Sequence, residues 1–153
     1  MKMVGRLGGF IVLFILLAWM VLLLGYYGKV ELQKWKAERN TARFFKAVQY
    51  QRYDEAVRLF GEPLDQESLR KLQPFRLVKY TRVKAEYDDG CVCKGHAQLT
   101  FQSDGPPITV PAAFVLREGY KPGQVCALTS RETQTVMPQL GKWNITFCGS
   151  DSF

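Results

Sequence analysis

Residues 91–102 read CVCKGHAQLTFQ, and the period of that stretch decides the fold class. Cys91, Cys93, Gly95, Ala97, Leu99 and Phe101 fall on one side of an extended chain, and Val92, Lys94, His96, Gln98 and Thr100 on the other. A largely apolar face backed by a polar one predicts a strand of an antiparallel sheet with one side in a core. Upstream, Asp88, Asp89 and Gly90 read as a turn, and before it Phe75, Leu77, Lys79, Thr81 and Val83 alternate with Arg76, Val78, Tyr80 and Arg82 as a second strand. Downstream, residues 103–107, Ser, Asp, Gly and two Pro, read as a loop that returns the chain antiparallel as Ile108 to Arg117. Pro111 has no N–H to give to a ladder, so this third strand is expected at an exposed edge or beside a bulge. Residues 119–141 show no clear period, and Lys142 to Cys148, with Trp143, Ile145 and Phe147 alternating, reads as a closing strand.

Before the first strand the period is helical. Phe44, Phe45, Ala47 and Val48 share a side between Thr41 and Gln51. Tyr53, Ala56, Val57 and Phe60 recur at three and four, with Asp54 and Glu55 in the first turn and Gly61 and Pro63 as stop signals. Asp65 is placed to cap a third helix over 66–72. Helices followed by an antiparallel meander predict an α+β domain over 41–153, with the helices packed on one side of a curved sheet.

The first 28 residues differ in kind. Leu7 to Leu24 is an 18-residue run without a charge, close to the ~20 residues a bilayer-spanning helix needs. Tyr26 and Tyr27 follow, suited to the headgroup region, and then Lys29. No small-x-small exit precedes Gly28, so the segment is expected to stay as an anchor over 1–28, joined by a basic linker or helix extension over 29–40.

Two signals oppose each other on orientation. Lys2 and Arg6 precede the run, whereas Lys29, Lys34, Lys36, Arg39, Arg43 and Lys46 follow it, which by charge count would hold the domain in the cytoplasm. Cys91, Cys93, Cys126 and Cys148 form an even set without a CxxC pair, as disulfide-permitting compartments allow. Long domains translocate regardless of charge, so the expectation is a cytoplasmic N-terminus and an extracytoplasmic domain. From Lys29 to Lys84 there are 14 Lys and Arg against 7 Asp and Glu, a balance of +7, while Ala85 to Phe153 holds 5 against 7, a balance of −2. The basic half suits anionic lipid headgroups or an acidic partner. No nucleic-acid motif accompanies it, and no nucleic-acid partner is expected.

The stretch TARFFKAVQYQRYDEAVRLF (41–60), followed by strands and by GKWNITF (141–147), resembles the membrane-anchored members of the nuclear transport factor 2-like, or cystatin-like, superfamily. Tyr53, Asp54 and Ala56 match its short-helix element, and Gly141, Trp143 and Ile145 match its Gly-x-Trp-x-Ile last strand. The resemblance implies a helix packed into a curved sheet and a role such as that of small secretion-channel subunits, although the superfamily also holds isomerases and dehydratases.

Catalytic candidates are weak. His96 is the one histidine and lies on the polar face of its strand, and Asp88 and Asp89 are explained by a turn. Tyr50, Tyr53, Tyr80 and Tyr87 need no ligand. The expectation is a protein without catalysis or cofactor, docked as a structural or assembly subunit on membrane proteins of a larger complex. The alternatives are an ectodomain binding a small apolar molecule or peptide and, last, an isomerase-type enzyme. For the cysteines, Cys91 and Cys93 would lie ~7 Å apart on an ideal strand, too far to bond easily, so each is expected to pair with Cys126 or Cys148. A four-thiolate zinc site lacks familiar spacing and ranks behind disulfides. Such a bond at Cys126 would staple 119–141 to the sheet and leave Gln134, Thr135 and Gln139 as a partner-docking patch.

Overall fold

The computed structural model describes residues 2–72, 75–102, 105–130, 133, 135 and 137–149, with side chains from residue 11 onward except that of Gln66. A single helix, α1, runs from Lys2 to Gln49. Residues 29–40 are therefore helix extension and not linker. Contacts divide the chain into two units, Met1–Leu32 and Gln33–Phe153.

In the second unit α1 buries Ala37, Thr41, Phe44, Phe45, Ala47 and Val48, the i, i+4, i+7 stripe of a core-facing helix. Its end is closed by Gln51 in the left-handed region (φ 56°), where Gln51 N donates to Val48 O and Arg52 N to Ala47 O. A side chain in that conformation costs ~1–2 kcal/mol, part of it offset by the larger unfolded-state entropy of glycine. Gln51→Gly is therefore expected to raise stability by about 0.5–1 kcal/mol, read as a rise in the denaturant midpoint at constant slope.

Two short helices follow, α2 (Tyr53–Leu59) and α3 (Gln66–Arg70). Asp65 caps α3 as expected, its carboxylate accepting from Glu67 N, Ser68 N and Ser68 Oγ. The Ser68 hydroxyl and these two amides hold its pKa below the ordinary value of 3.8.

The strands β1 (Arg76–Asp88), β2 (Cys91–Gln102), β3 (Ile108–Arg117) and β4 (Lys121–Ala127) form one antiparallel meander in the order β1-β2-β3-β4. Asp89 and Gly90 have φ of 48° and 85°, which makes the β1–β2 connection the two-residue turn that an Asp-Gly pair favours. Chain alternation is interrupted where one strand gains a residue. On β1 the register shifts between Leu77 and Lys79 and again between Thr81 and Lys84, where Arg82 has φ 54°. The inward side chains are accordingly Leu77, Tyr80, Val83 and Ala85, not an unbroken alternation from Phe75 to Val83. On β2, Glu86 pairs with Lys94 but Tyr87 pairs with Val92, so Cys93 is an extra, bulged residue. Gly95, Ala97, Leu99 and Phe101 point inward as read, whereas beyond the bulge the phase flips, and Val92 is buried while Cys93 is exposed.

β3 is an inner strand, in contrast to the edge expected from Pro111. Pro111 sits just past the last β3–β4 rung, Ala112↔Ala127, and uses its carbonyl to accept from Leu128 N, so the missing N–H falls where the β4 ladder ends. Gly95 is required by crowding, since a Cβ there would stand 2.2 Å from Lys84 O and 2.3 Å from Phe114 Cζ.

The irregular region expected over 119–141 contains a 3-10 turn (Glu118–Tyr120) and β4. The closing element is also corrected: Gln139–Cys148 is a helix, α4, ended by Gly149 with φ 78°. Leu140, Trp143, Asn144, Phe147 and Cys148 are buried and Ile145 is 58% exposed. This is helical spacing; the alternation of 143, 145 and 147 does not describe it. α1, α2 and α4 meet over one face of the sheet in an aromatic cluster. Phe44 lies 5.1 Å from Phe60 and 5.5 Å from Phe147, and Trp143 lies 4.3 Å from Phe147 and 4.8 Å from Phe101. The opposite face, with Lys94, His96, Thr109 and Pro111, is exposed. The domain is thus α+β with an open four-stranded sheet.

Candidate functional site

Within the first unit, Ile11 to Leu24 is apolar outward on every side. Phe14 is 75% exposed and Leu24 66%, and Ile11 through Leu24 present the same character around the helix. By length and composition this helix can cross a membrane. Among the anchor residues read from sequence, Leu7 is helical with its side chain outside those described, and Tyr26 and Tyr27 are exposed with their rings edge to face at 5.9 Å.

In the second unit the outward side of α1 is a stripe of cations and rings: Trp35, Lys36, Arg39, Arg43, Lys46 and Tyr50, all exposed. The steps of three and four residues keep them on one side. The Arg39 guanidinium lies 5.1 Å above the Trp35 ring, and the Arg52 guanidinium lies 5.8 Å from the Tyr50 ring and is paired with Glu55 at 2.9 Å. The single carboxylate of α1 between Gln33 and Gln49 is Glu38, and it faces the sheet, accepting from Ala85 N at 3.2 Å with Lys84 Nζ at 3.8 Å. On the sides that touch the fold, Asn40 donates to Gly119 O and Tyr120 O, and Gln49 to Val78 O. The partition leaves four positive charges on the outward stripe. Sequence counting found the basic excess, and the helical phase that gathers it on one stripe is what counting omitted.

A second locus is the junction of α4 with β4. The Asn144 carboxamide accepts from Ala127 N at 2.8 Å and donates to Ala127 O at 2.9 Å, so one buried side chain satisfies both backbone groups of an edge residue. One turn on, Cys148 is bonded to Cys126 of β4. The expected pairings of Cys126 and Cys148 with Cys91 and Cys93 are therefore overturned. Cys126 is stapled, but to a helix and not to a sheet cysteine. The other bond joins Cys91 to Cys93, whose Cα atoms are 5.4 Å apart, well inside bonding range, because the bulge at Cys93 contracts the strand from its ideal rise.

Of the expected docking residues, Gln134 lies outside the described residues and Thr135 is exposed. Gln139 is half-buried, and its Oε1 is buried with no hydrogen-bond partner among the described residues, so it is not the open surface group expected. His96 is exposed, with Nδ1 2.8 Å from Glu86 Oε1 on the neighbouring strand. Asp88 is paired with Lys94 across the hairpin end, which lowers the Asp88 pKa and raises that of Lys94. Among the described residues no group of three His, Cys, Asp or Glu could hold a metal ion. No family model, characterised protein or solved structure matches the chain.

Proposed function

We propose that the protein is a bitopic membrane subunit, its N-terminus in the cytoplasm and its Gln33–Phe153 unit outside, that docks on a larger membrane complex as a structural or assembly component. The observation that carries this reading is the first unit: a long apolar helix on which nothing among the described residues covers Ile11 to Leu24, whose surface suits lipid and the helices of partner subunits. Two disulfides favour an oxidising compartment for the second unit. The α1 stripe supplies a contact surface for acidic side chains of a partner, with anionic headgroups as the lipid counterpart near the anchor. The alternative of a small-molecule ectodomain has less to stand on, because the space between α1 and the sheet is taken up by Phe44, Phe101, Trp143 and Phe147. Kinship with the nuclear transport factor 2-like superfamily belongs to the proposal as well. It rests on the helix-then-sheet order and on Tyr53, Asp54 and Ala56, since Gly141, Trp143 and Ile145 lie in a helix and lend it nothing.

The test is purification of the tagged full chain from membranes in mild detergent. Stoichiometric co-purifying membrane proteins, reduced at least ~10-fold by replacing Arg39, Arg43 and Lys46 with Glu, are the expected result. A lone monomer carrying a small molecule would transfer the case to the ligand-binding alternative. A reporter active only after export, fused after Phe153, checks the orientation, and silence from it while a cytosolic reporter works would reverse it.

A further inference from the structure

The two disulfides differ in what they can do for the fold. Cys126–Cys148 joins two elements across 22 residues, and its cysteines are 8% and 7% exposed. Cys91–Cys93 joins residues two apart on one strand of a hairpin already closed by Asp89 and Gly90 and by the β1–β2 ladder. A bond closing so short a loop removes only about half as much freedom from the unfolded chain as one spanning 22 residues. It also lies open: Cys93 is exposed, Cys91 is half-buried, and Val92 between them turns into the core.

Its position is also distinctive. The β2–β3 ladder starts at Lys94↔Val115, so residues 91–93 stand beyond it, and the chain after Val115 diverges into the Glu118–Tyr120 turn. Between the two lies an open cleft of about 490 Å³ lined by Cys91, Cys93, Leu116, Arg117, Gly119 and Tyr120. That is room for a short peptide segment, with the Tyr120 ring, the disulfide, the Glu118 carboxylate and an Arg117 already paired with Glu62 on its walls.

We propose that Cys91–Cys93 is a thiol–disulfide exchange site whose reaction partner is a cysteine pair of another polypeptide seated in this cleft. Exposed disulfides are the reducible ones, whereas buried structural ones resist the glutathione pool. A thiolate of the partner attacks Sγ of Cys93, the more exposed of the two residues. The Cys91–Cys93 bond breaks, a mixed disulfide forms at Cys93, and Cys91 leaves as a thiolate that takes up a proton. The second partner thiol, deprotonated, attacks its own mixed disulfide and releases Cys93, which is protonated in turn. Two electrons and two protons pass from the partner dithiol to the Cys91–Cys93 pair, leaving the partner with one disulfide and this chain with two thiols.

The experiment uses the full chain in mild detergent, equilibrated in glutathione buffers of rising [GSH]²/[GSSG], quenched with acid and alkylated, with each cysteine read by peptide mapping. Cys91 and Cys93 are expected to become half-reduced at a ratio at least ~100-fold lower than Cys126 and Cys148. In a second arm, a reduced peptide with two cysteines is mixed with the oxidised chain. About one equivalent of peptide disulfide is expected from the natural chain and none from the double variant Cys91→Ser/Cys93→Ser. Reduction of both pairs at the same ratio, or equal peptide oxidation by the double variant, would overturn the assignment.

Discussion

Trp143→Ala is expected to lower the unfolding free energy of the Gln33–Phe153 unit by about 3–5 kcal/mol, a fall of about 10–20 °C in the thermal midpoint of the full chain in detergent. Trp143 is 1% exposed, with Phe147 at 4.3 Å and Phe101 at 4.8 Å, and so fills the junction of α4 with the sheet. Truncation leaves a void between Phe147, which also contacts Phe44 and Phe60, and Phe101, which stacks on Phe75, and these neighbours can only partly close it. Its Nε1 has no hydrogen-bond partner among the described residues, so the loss is one of packing, and Trp143→Phe should recover much of it. Ile145→Ala is the control. On a strand residues 143 and 145 would share a face and cost alike; on α4 Ile145 is 58% exposed, and its truncation should stay within about 0.5 kcal/mol. Circular dichroism during thermal and denaturant unfolding measures both, and equal losses would return this segment to the sheet.

The segment misleads because its letters satisfy two periods. Trp143, Ile145 and Phe147 alternate, and Trp, Ile, Thr and Phe are strand-favouring residues. Leu140, Trp143, Asn144 and Phe147 satisfy the helical period equally, and Gly149 is the stop signal that could have tipped the choice. What settles the matter is non-local: Ala127 at the end of β4 leaves two backbone groups for which only a side chain arriving from outside the sheet is available, and Asn144 supplies it. β4 was hidden for a related reason. Lys121, Pro122 and Gly123 carry turn chemistry, and the segment becomes a strand because β3 offers it an open ladder.

Other parts were readable because their physics is local. The apolar run, the Asp65 cap, the α2 spacing and the Asp89–Gly90 turn each depend on neighbours within a few residues. The bulges at Arg82 and Cys93 do not, since one added residue inverts every inward position beyond it and no letter in the strand announces the insertion. The cysteine pairing followed the same error. An ideal rise separates Cys91 from Cys93, and a single bulge brings their Cα atoms to 5.4 Å. The site shares this limit: the basic excess was countable, but its concentration on the α1 stripe required knowing which side meets the sheet, where Glu38 is spent on Ala85 N.

Removing the Cys126–Cys148 bond as Cys126→Ala/Cys148→Ala is expected to cost about 3 kcal/mol, the chain-entropy value for a loop of this size, while Cys91→Ala/Cys93→Ala should cost no more than about half as much. Two physical terms separate the pairs. Loop length favours the first, with a separation of 22 residues against 2, and the first also holds α4, whose Trp143 and Phe147 complete the aromatic cluster, against β4. The Asn144 amide acts on the same junction, so the two devices should not be independent. With the bond intact, Asn144→Ala leaves Ala127 N and O buried without their partner and should cost about 1–3 kcal/mol. With the bond absent, α4 can shift and admit water to those groups, and the same substitution should cost less, giving an interaction energy of at least about 0.5 kcal/mol in a double-mutant cycle. Denaturant unfolding of the oxidised full chain and its variants supplies every corner of that cycle. Strict additivity would mean that the amide and the disulfide hold separate structures, and equal losses from the two cysteine pairs would mean that the hairpin bond is a structural staple, leaving no distinction on which an exchange role could rest.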